Sequence, residues 1–359
     1  MKLSPSKIKT LLKQNRLDAL FITNQHNVSY LSGFSGLSPE EREGFILLTS
    51  KKMYLLTFST YFGLFRQIDD IHCLCISPSQ RLSYHLQSIA ESENLSAIGF
   101  EKTNLTVSEL ESLQKKVTVD WIPVSNIIEN LRIIKTPEEI SKIKKAARIT
   151  DEAFNFILKH IKKEETEKEI ALQIEFFLKK KTGDIAFSPI VAFNTGSAIP
   201  HYIPSNSHKL IANSLILLDF GAQVDGYCAD MTRVIFFGKP KPEFLNIYNT
   251  VKKAQEIALK SIKPGQKTQI PDIKAKEYIK SQGYPKYLHG LGHGVGLAIH
   301  EAPRLKTESD EIFKENMVVT VEPGIYIEGT CGVRIEDLIL LKDKGIEILS
   351  KSTKDIIFI

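Results

Sequence analysis

The chain has 359 residues, of which 42% are hydrophobic and 25% charged, with a formal net charge of +5 and 20 Gly, 15 Pro and 4 Cys. These values sit near soluble globular averages and exclude disordered, collagen-like and fibrous readings. Four cysteines are too few for a disulfide scaffold and point to a reduced, cytoplasmic setting. No apolar run approaches the ~20 residues of a membrane helix, and the opening Met1-Lys2-Leu3-Ser4-Pro5-Ser6-Lys7 lacks the apolar stretch of a signal peptide. No membrane partner is therefore expected. Basic residues occur as scattered pairs, with one triplet at Lys179 to Lys181, so a nucleic-acid surface is not expected either.

The first half, residues 1–127, reads as short alternating helices and strands. Ser4-Pro5 starts a helix carrying Ile8, Leu11 and Leu12, and Ala19 to Ile22 is a short apolar strand. Phe45 to Leu48, a Lys51-Lys52 turn and Met53 to Leu56 form a predicted β-hairpin. His72-Cys73-Leu74-Cys75 has no second cluster to complete a zinc site and reads as an ordinary strand. The composition changes near Val124 to Leu131, which places the second domain at 128–359. Thr136-Pro137-Glu138-Glu139 is a capping box at the start of a long helix, and Thr166 with Glu169 opens another that Gly183 ends. Strand-like segments follow, with helices over Pro242 to Ile262 and Pro271 to Ser281. Because strands and helices do not alternate strictly, the second half is expected to be α+β with a largely antiparallel sheet.

The acids and histidines of this half fall into three groups. Asp219 and Asp230 are eleven residues apart, with the turn dipeptide Asp225-Gly226 between them. A two-residue turn there opposes Asp219 to Thr232 and puts Asp230 on the same sheet face. Glu322 and Glu336 are fourteen apart, and a pairing centred on Gly329 sets them opposite each other. The third group holds His289, His293 and His300, with His293 between Gly292 and Gly294, which allow close approach to neighbouring strands. Four carboxylates and a histidine gathered on one buried face are costly unless cations balance them. Two divalent ions do so, and two-metal hydrolytic sites hold such ions ~3.5–4 Å apart.

This ordered set, with 'EPGIY', 'VRIED' and the earlier 'NVSYLSGF', resembles the pita-bread metallopeptidases, closest to Xaa-Pro aminopeptidase and Xaa-Pro dipeptidase (prolidase). The resemblance implies a C-terminal pita-bread (creatinase/aminopeptidase) domain and a smaller creatinase-like α/β N-terminal domain. It implies that Asp219, Asp230, His293, Glu322 and Glu336 hold two metal ions, with Asp230 and Glu336 bridging. Carboxylate-rich coordination suits Mn(II), with Co(II), Fe(II) or Zn(II) as alternatives. Glu322 is then expected to accept a proton from the attacking water and to deliver one to the leaving nitrogen of proline. By the same resemblance His300 steadies the tetrahedral intermediate, His201 in 'SAIPHY' and His289 face substrate, and Tyr326 and Arg334 orient ligands or bind substrate. Cys228 shares the parity of Asp230 but reads as buried core.

Methionine aminopeptidase shares the ligand scheme but lacks this kind of N-terminal domain and an Arg at the place of Arg334. A non-catalytic binding protein on the same fold is expected to have lost ligands, and here all five are present. The expectation is a homodimeric peptidase acting on peptides with proline at the second position, preferably an aminopeptidase releasing the N-terminal residue. A prolidase restricted to dipeptides is the alternative.

Overall fold

A computed structural model of the chain describes residues 3–37, 41–68 and 71–359. Met1 and Lys2, part of the opening segment considered above, lie outside the described residues. The chain divides between Arg132 and Ile133 into two compact units. The division falls past Ile127 because the helix Ile127–Arg132 is bonded into the first unit. Asn27 donates to Glu129 (2.8 Å), Arg132 donates to Asn27 (2.8 Å), and the Tyr30 hydroxyl donates to the Leu131 carbonyl (3.4 Å).

In the first unit a six-stranded mixed sheet runs, in space, His72–Ile76, Met53–Phe58, Gly44–Thr49, Ala19–Ile22, Ala97–Glu101 and Asp120–Val124. The central strand Ala19–Ile22 is buried throughout, as a continuous apolar run requires. The expected hairpin forms with Leu48 opposite Met53. His72 to Cys75 make up most of an edge strand, and Cys73 and Cys75 are unpaired thiols. The segment 'NVSYLSGF' enters a helix, Gln25–Ser32, capped by Asn24 and ended by Gly33 at φ 77°.

The second unit is α+β. The helix Pro137–His160 starts at the expected capping box and buries Ile143, Ala147, Ile149 and Phe154. Glu167–Thr182 begins at Thr166 and ends at Gly183 in the left-handed region (φ 91°). Two further helices, Pro242–Ser261 and Gln269–Ser281, pack on the sheets. One sheet places Ser214–Phe220 between Ile190–Phe193 and Met231–Phe237. Another runs Glu301–Leu305, Gly292–Gly294, Val318–Val321, Asp337–Lys342 and Gly345–Ile348, and all pairings in both are antiparallel. A two-stranded ribbon joins Gly324–Ile327 to Cys331–Arg334. Leu215, Leu217, Val234 and Phe236 from the first sheet, with Val319, Val321 and Ile339 from the second, share one core with Phe244, Tyr248 and Val251 of a helix. No described helix is long and apolar enough to cross a membrane.

Candidate metal centre

Two β-ribbons carry the four carboxylates. In the first, Asp219 opposes Thr232, and the same register continues through Gln223 opposite Cys228 and Val224 opposite Tyr227. Asp225 (φ 49°) and Gly226 (φ 82°) close the turn, as a primed hairpin turn requires. Gly221 is obligatory: a Cβ there would lie 1.8 Å from the Ala229 carbonyl oxygen. In the second ribbon Val321 opposes Asp337 and Gly324 opposes Arg334, so Glu322 and Glu336 face each other in the gap between two ladders of one register.

The ribbons are locked together near these acids. The Glu336 amide donates to the Thr232 carbonyl (3.2 Å). The buried Arg233 donates to the Thr232 carbonyl (2.9 Å), the Glu336 carbonyl and the Asp337 carboxylate (2.7 Å). The Thr232 hydroxyl donates to Glu336 Oε2 (2.6 Å) and accepts from Arg334 Nε (3.0 Å).

His293 sits between two strands that come close to its flanking glycines. A Cβ on Gly292 would lie 2.1 Å from the Thr320 carbonyl oxygen, and one on Gly294 2.1 Å from that of Ala302. His293 Nδ1 contacts the Gly294 carbonyl oxygen (3.1 Å); donation to that oxygen fixes the tautomer and leaves Nε2 as the free donor atom. That Nε2 lies 3.3 Å from Glu322 Oε1 and 3.7 Å from Asp230 Oδ2. Thr320 supports both groups, accepting from the His293 amide (3.1 Å) and donating to Glu322 Oε1 (3.1 Å).

Asp230, His293 and Glu336 each bring one ligand atom within 4.8 Å of the others, and all three are buried. Asp219 and Glu322 fall outside this trio but line the same cleft, of about 1240 Å³. Asp219 Oδ2 accepts from Arg334 Nη2 (2.6 Å), while its Oδ1 is buried without a hydrogen-bond partner. Burial, then repulsion from neighbouring carboxylates, holds Asp230 and Glu336 well above the ordinary carboxylate range. Burial also raises Asp219 in spite of Arg334. Glu322 moves the other way: burial opposes it, but His293, His289 and Arg334 bring it down to about 2. An orphaned buried oxygen and four carboxylates beside a single guanidinium make a donor set that fits divalent cations.

His201, His289, His300, Tyr326 and Arg334 also line the cleft. The His300 ring meets His293 edge-on at 4.4 Å, and desolvation, with His293 and Arg304 nearby, pushes its imidazole down to about 4. His289 stacks on Tyr287 at 4.9 Å. Its two ring nitrogens are engaged by the Gly290 carbonyl (2.7 Å) and the Tyr326 hydroxyl (3.0 Å). Arg334 donates to Asp219, to Thr232, to the Tyr326 hydroxyl (3.0 Å) and to the Pro200 carbonyl (3.5 Å). It meets Asp219 through one nitrogen, so the bidentate pairing open to an Arg at this position is not formed. Cys228 does not line the cleft. Its thiol contacts the Gln223 amide (3.5 Å) and the Leu297 carbonyl (3.8 Å), and burial pushes it up to about 12.

Two cleft residues escaped the sequence reading. Arg304 stands directly opposite His293 in the strand ladder, and Lys306 lies two residues on; both are exposed. Neither makes an ion pair among the described residues. The signal was available in principle, since Arg304 follows His293 by eleven residues in an apolar-polar strand. A bulge between His293 and Gly294 hides that register from simple counting.

Comparison with known proteins agrees with this geometry. Residues 141–343 match Metallopeptidase family M24, and residues 6–134 match the Creatinase/Prolidase N-terminal domain. The Xaa-Pro dipeptidase of Pyrococcus furiosus is 33% identical over 99% of this chain and 100% of its own length. A solved structure described as Xaa-Pro dipeptidase from Bacillus anthracis superposes with a TM-score of 0.93 at 34% identity, covering 99% of each chain. That of an X-Pro aminopeptidase from Thermotoga maritima gives 0.89 at 32% identity, covering 98% of this chain and 100% of that one. The architecture is thus a creatinase-like N-terminal domain followed by a pita-bread domain, and the chain belongs to metallopeptidase family M24.

Proposed function

We propose that the protein is an Xaa-Pro dipeptidase with a dinuclear metal centre. Asp219, Asp230, His293, Glu322 and Glu336 would hold two divalent ions. Mn(II) is the ion the oxygen-rich donor set favours, and Co(II), Fe(II) and Zn(II) are its competitors. When bound, the ion pair supplies positive charge that acidifies a water and polarises the scissile carbonyl. Glu322, at the cleft wall, would take a proton from the attacking water and return one to the proline nitrogen as it leaves. His300 and His201, on the cleft wall, hydrogen-bond the oxygen that gains charge as the carbonyl becomes tetrahedral. Arg334, its guanidinium wholly engaged by protein groups, orients Asp219 and Tyr326 and leaves substrate to others. His289, engaged at both nitrogens, shapes the wall through Tyr326.

The sequence reading preferred the aminopeptidase. The dipeptidase is better supported, and Arg304 is the observation that carries the choice. Arg304 lines the cleft without an ion pair among the described residues, opposite His293 in the ladder, and we infer that its guanidinium meets the residue after the scissile bond. In a dipeptide that residue is proline with a free carboxylate, which a guanidinium can pair with bidentately. A longer peptide would present a neutral amide to Arg304. The names carried by the relatives in Pyrococcus furiosus and Bacillus anthracis point the same way.

Proline release from an Xaa-Pro dipeptide by chelator-stripped protein, with and without added Mn(II), tests this reading. Release that depends on the added ion supports it, and none under either condition removes it. The homodimer implied by the resemblance belongs to the same proposal, and a monomeric mass by light scattering would remove that part.

A further inference from the structure

Glu167 follows the helix cap Thr166, a place where an acid ordinarily faces water and favours the helix N-terminus. Glu169 does so, closing the capping box. Glu167 instead turns inward and is 0% exposed. Its Oε1 accepts from the Phe193 amide (2.7 Å), and its Oε2 from the Tyr202 hydroxyl (2.8 Å) and the Ser205 amide (3.1 Å). His208 Nδ1 lies 3.2 Å from the same Oε2 and 2.8 Å from the Tyr202 oxygen. One proton assignment satisfies every contact: Tyr202 donates to Glu167, and His208 Nδ1–H is shared between the two oxygens. A buried carboxylate with this many donors fixes whatever they belong to.

Apart from Phe193, which ends the strand Ile190–Phe193, they belong to the loop that carries His201. Ile199 and Ile203, its large aliphatic residues, are 55% and 82% exposed, so burial of those side chains does not hold it. The loop is tied by backbone bonds from Ser205 onward, with Lys168 donating to the Ser205 carbonyl (3.2 Å) and Leu210 to that of Glu165 (2.8 Å). Before that, the Ile199 amide donates to the Gly196 carbonyl (3.1 Å), and Arg334 reaches the Pro200 carbonyl at 3.5 Å, a weak contact. Between Pro200 and Ser205, the hydrogen bonds among the described residues are those of the Tyr202 hydroxyl. The neighbour of His201, Tyr202, is thus held by packing of its ring against the core and by the bond of its hydroxyl to Glu167.

We propose that Glu167 is a positioning residue for His201, acting through Tyr202 to hold that imidazole on the cleft wall. The proposal rests on the functional reading above for what His201 does, but the anchoring can be read without substrate. Glu167 does not line the cleft, so it acts only through the loop. In Glu167→Gln a single carbonyl oxygen must replace two carboxylate oxygens, and the new NH2 faces either the Phe193 or the Ser205 N–H.

The test pairs Glu167→Gln with His201→Ala in a double-mutant cycle, with amide hydrogen exchange followed over residues 199–208. Expected are faster exchange in that segment and a loss of about ten- to a hundredfold in kcat/KM, since a misplacement near 1 Å can cost that much. The same change made on His201→Ala should cost less than about threefold, because the group it positions is already gone. Equal losses on both backgrounds, or unchanged exchange, overturn the proposal. Should Glu167→Gln fail to fold, Tyr202→Phe keeps the ring and the Phe193 and Ser205 bonds, and must show the same pattern. If wild-type protein cleaves no Xaa-Pro peptide, the functional reading fails, and exchange alone decides whether Glu167 holds the loop.

Discussion

The cleft has two unlike walls. One is built from β-ribbons, where Asp219, Asp230, Glu322, Glu336 and His293 are held by ladder registers, by the Arg233 and Thr232 cross-links and by glycines packed against neighbouring backbone. The other is the loop of His201, where Ile199 and Ile203 are exposed and Tyr202 is bonded to the buried Glu167 carboxylate. A metal centre needs ligand atoms fixed to a few tenths of an ångström, which a paired ribbon supplies. The histidine proposed to meet substrate sits on a loop segment outside any strand ladder, where local opening costs less.

Four changes probe that contrast, in descending order of effect. Stripping the protein with a chelator should abolish peptidase activity and leave far-UV circular dichroism unchanged, because ladders and core hold the ribbons without the ions. Added Mn(II) should restore turnover, and full activity of the stripped protein would break the account. Glu322→Gln should lower kcat by a factor on the order of 10²–10⁴ while a peptide still binds; near-normal turnover would take Glu322 out of proton transfer. Arg304→Ala should raise KM for an Xaa-Pro dipeptide about ten- to a hundredfold, as expected for loss of a hydrogen bond between charged groups, and leave the corresponding proline amide nearly unaffected. Equal effects on both peptides would show that Arg304 does not read the carboxylate. Gly292→Ala should destabilise by about 1–3 kcal/mol through overpacking against the Thr320 carbonyl, read as a lowered melting temperature. An unchanged melting temperature would mean the ribbon wall is softer than its packing implies.

The ribbon wall was largely legible in the sequence. Asp225-Gly226 is a turn signal whose register can be counted outwards, and the opposition of Asp219 to Thr232 follows from it. Gly329 does the same for Glu322 and Glu336. The capping boxes at Thr136 and Thr166 also announced their helices. Arg304 was missed because a bulge breaks the count from His293. Glu167 was missed because local rules make the residue after an N-cap a solvated acid, and only tertiary structure brings Phe193, Tyr202 and Ser205 to it. Arg334 was recognised as a partner of the ligands, but its engagement with Asp219, Thr232 and Tyr326 at once is a property of three strands meeting.

The most direct test sets an Xaa-Pro dipeptide beside an Xaa-Pro-Xaa tripeptide with the same first residue, under Mn(II), and compares kcat/KM. A dipeptidase whose cleft ends at Arg304 should cleave the dipeptide and leave the tripeptide almost untouched. Release of the N-terminal residue from the tripeptide at a comparable rate would contradict that account and restore the aminopeptidase.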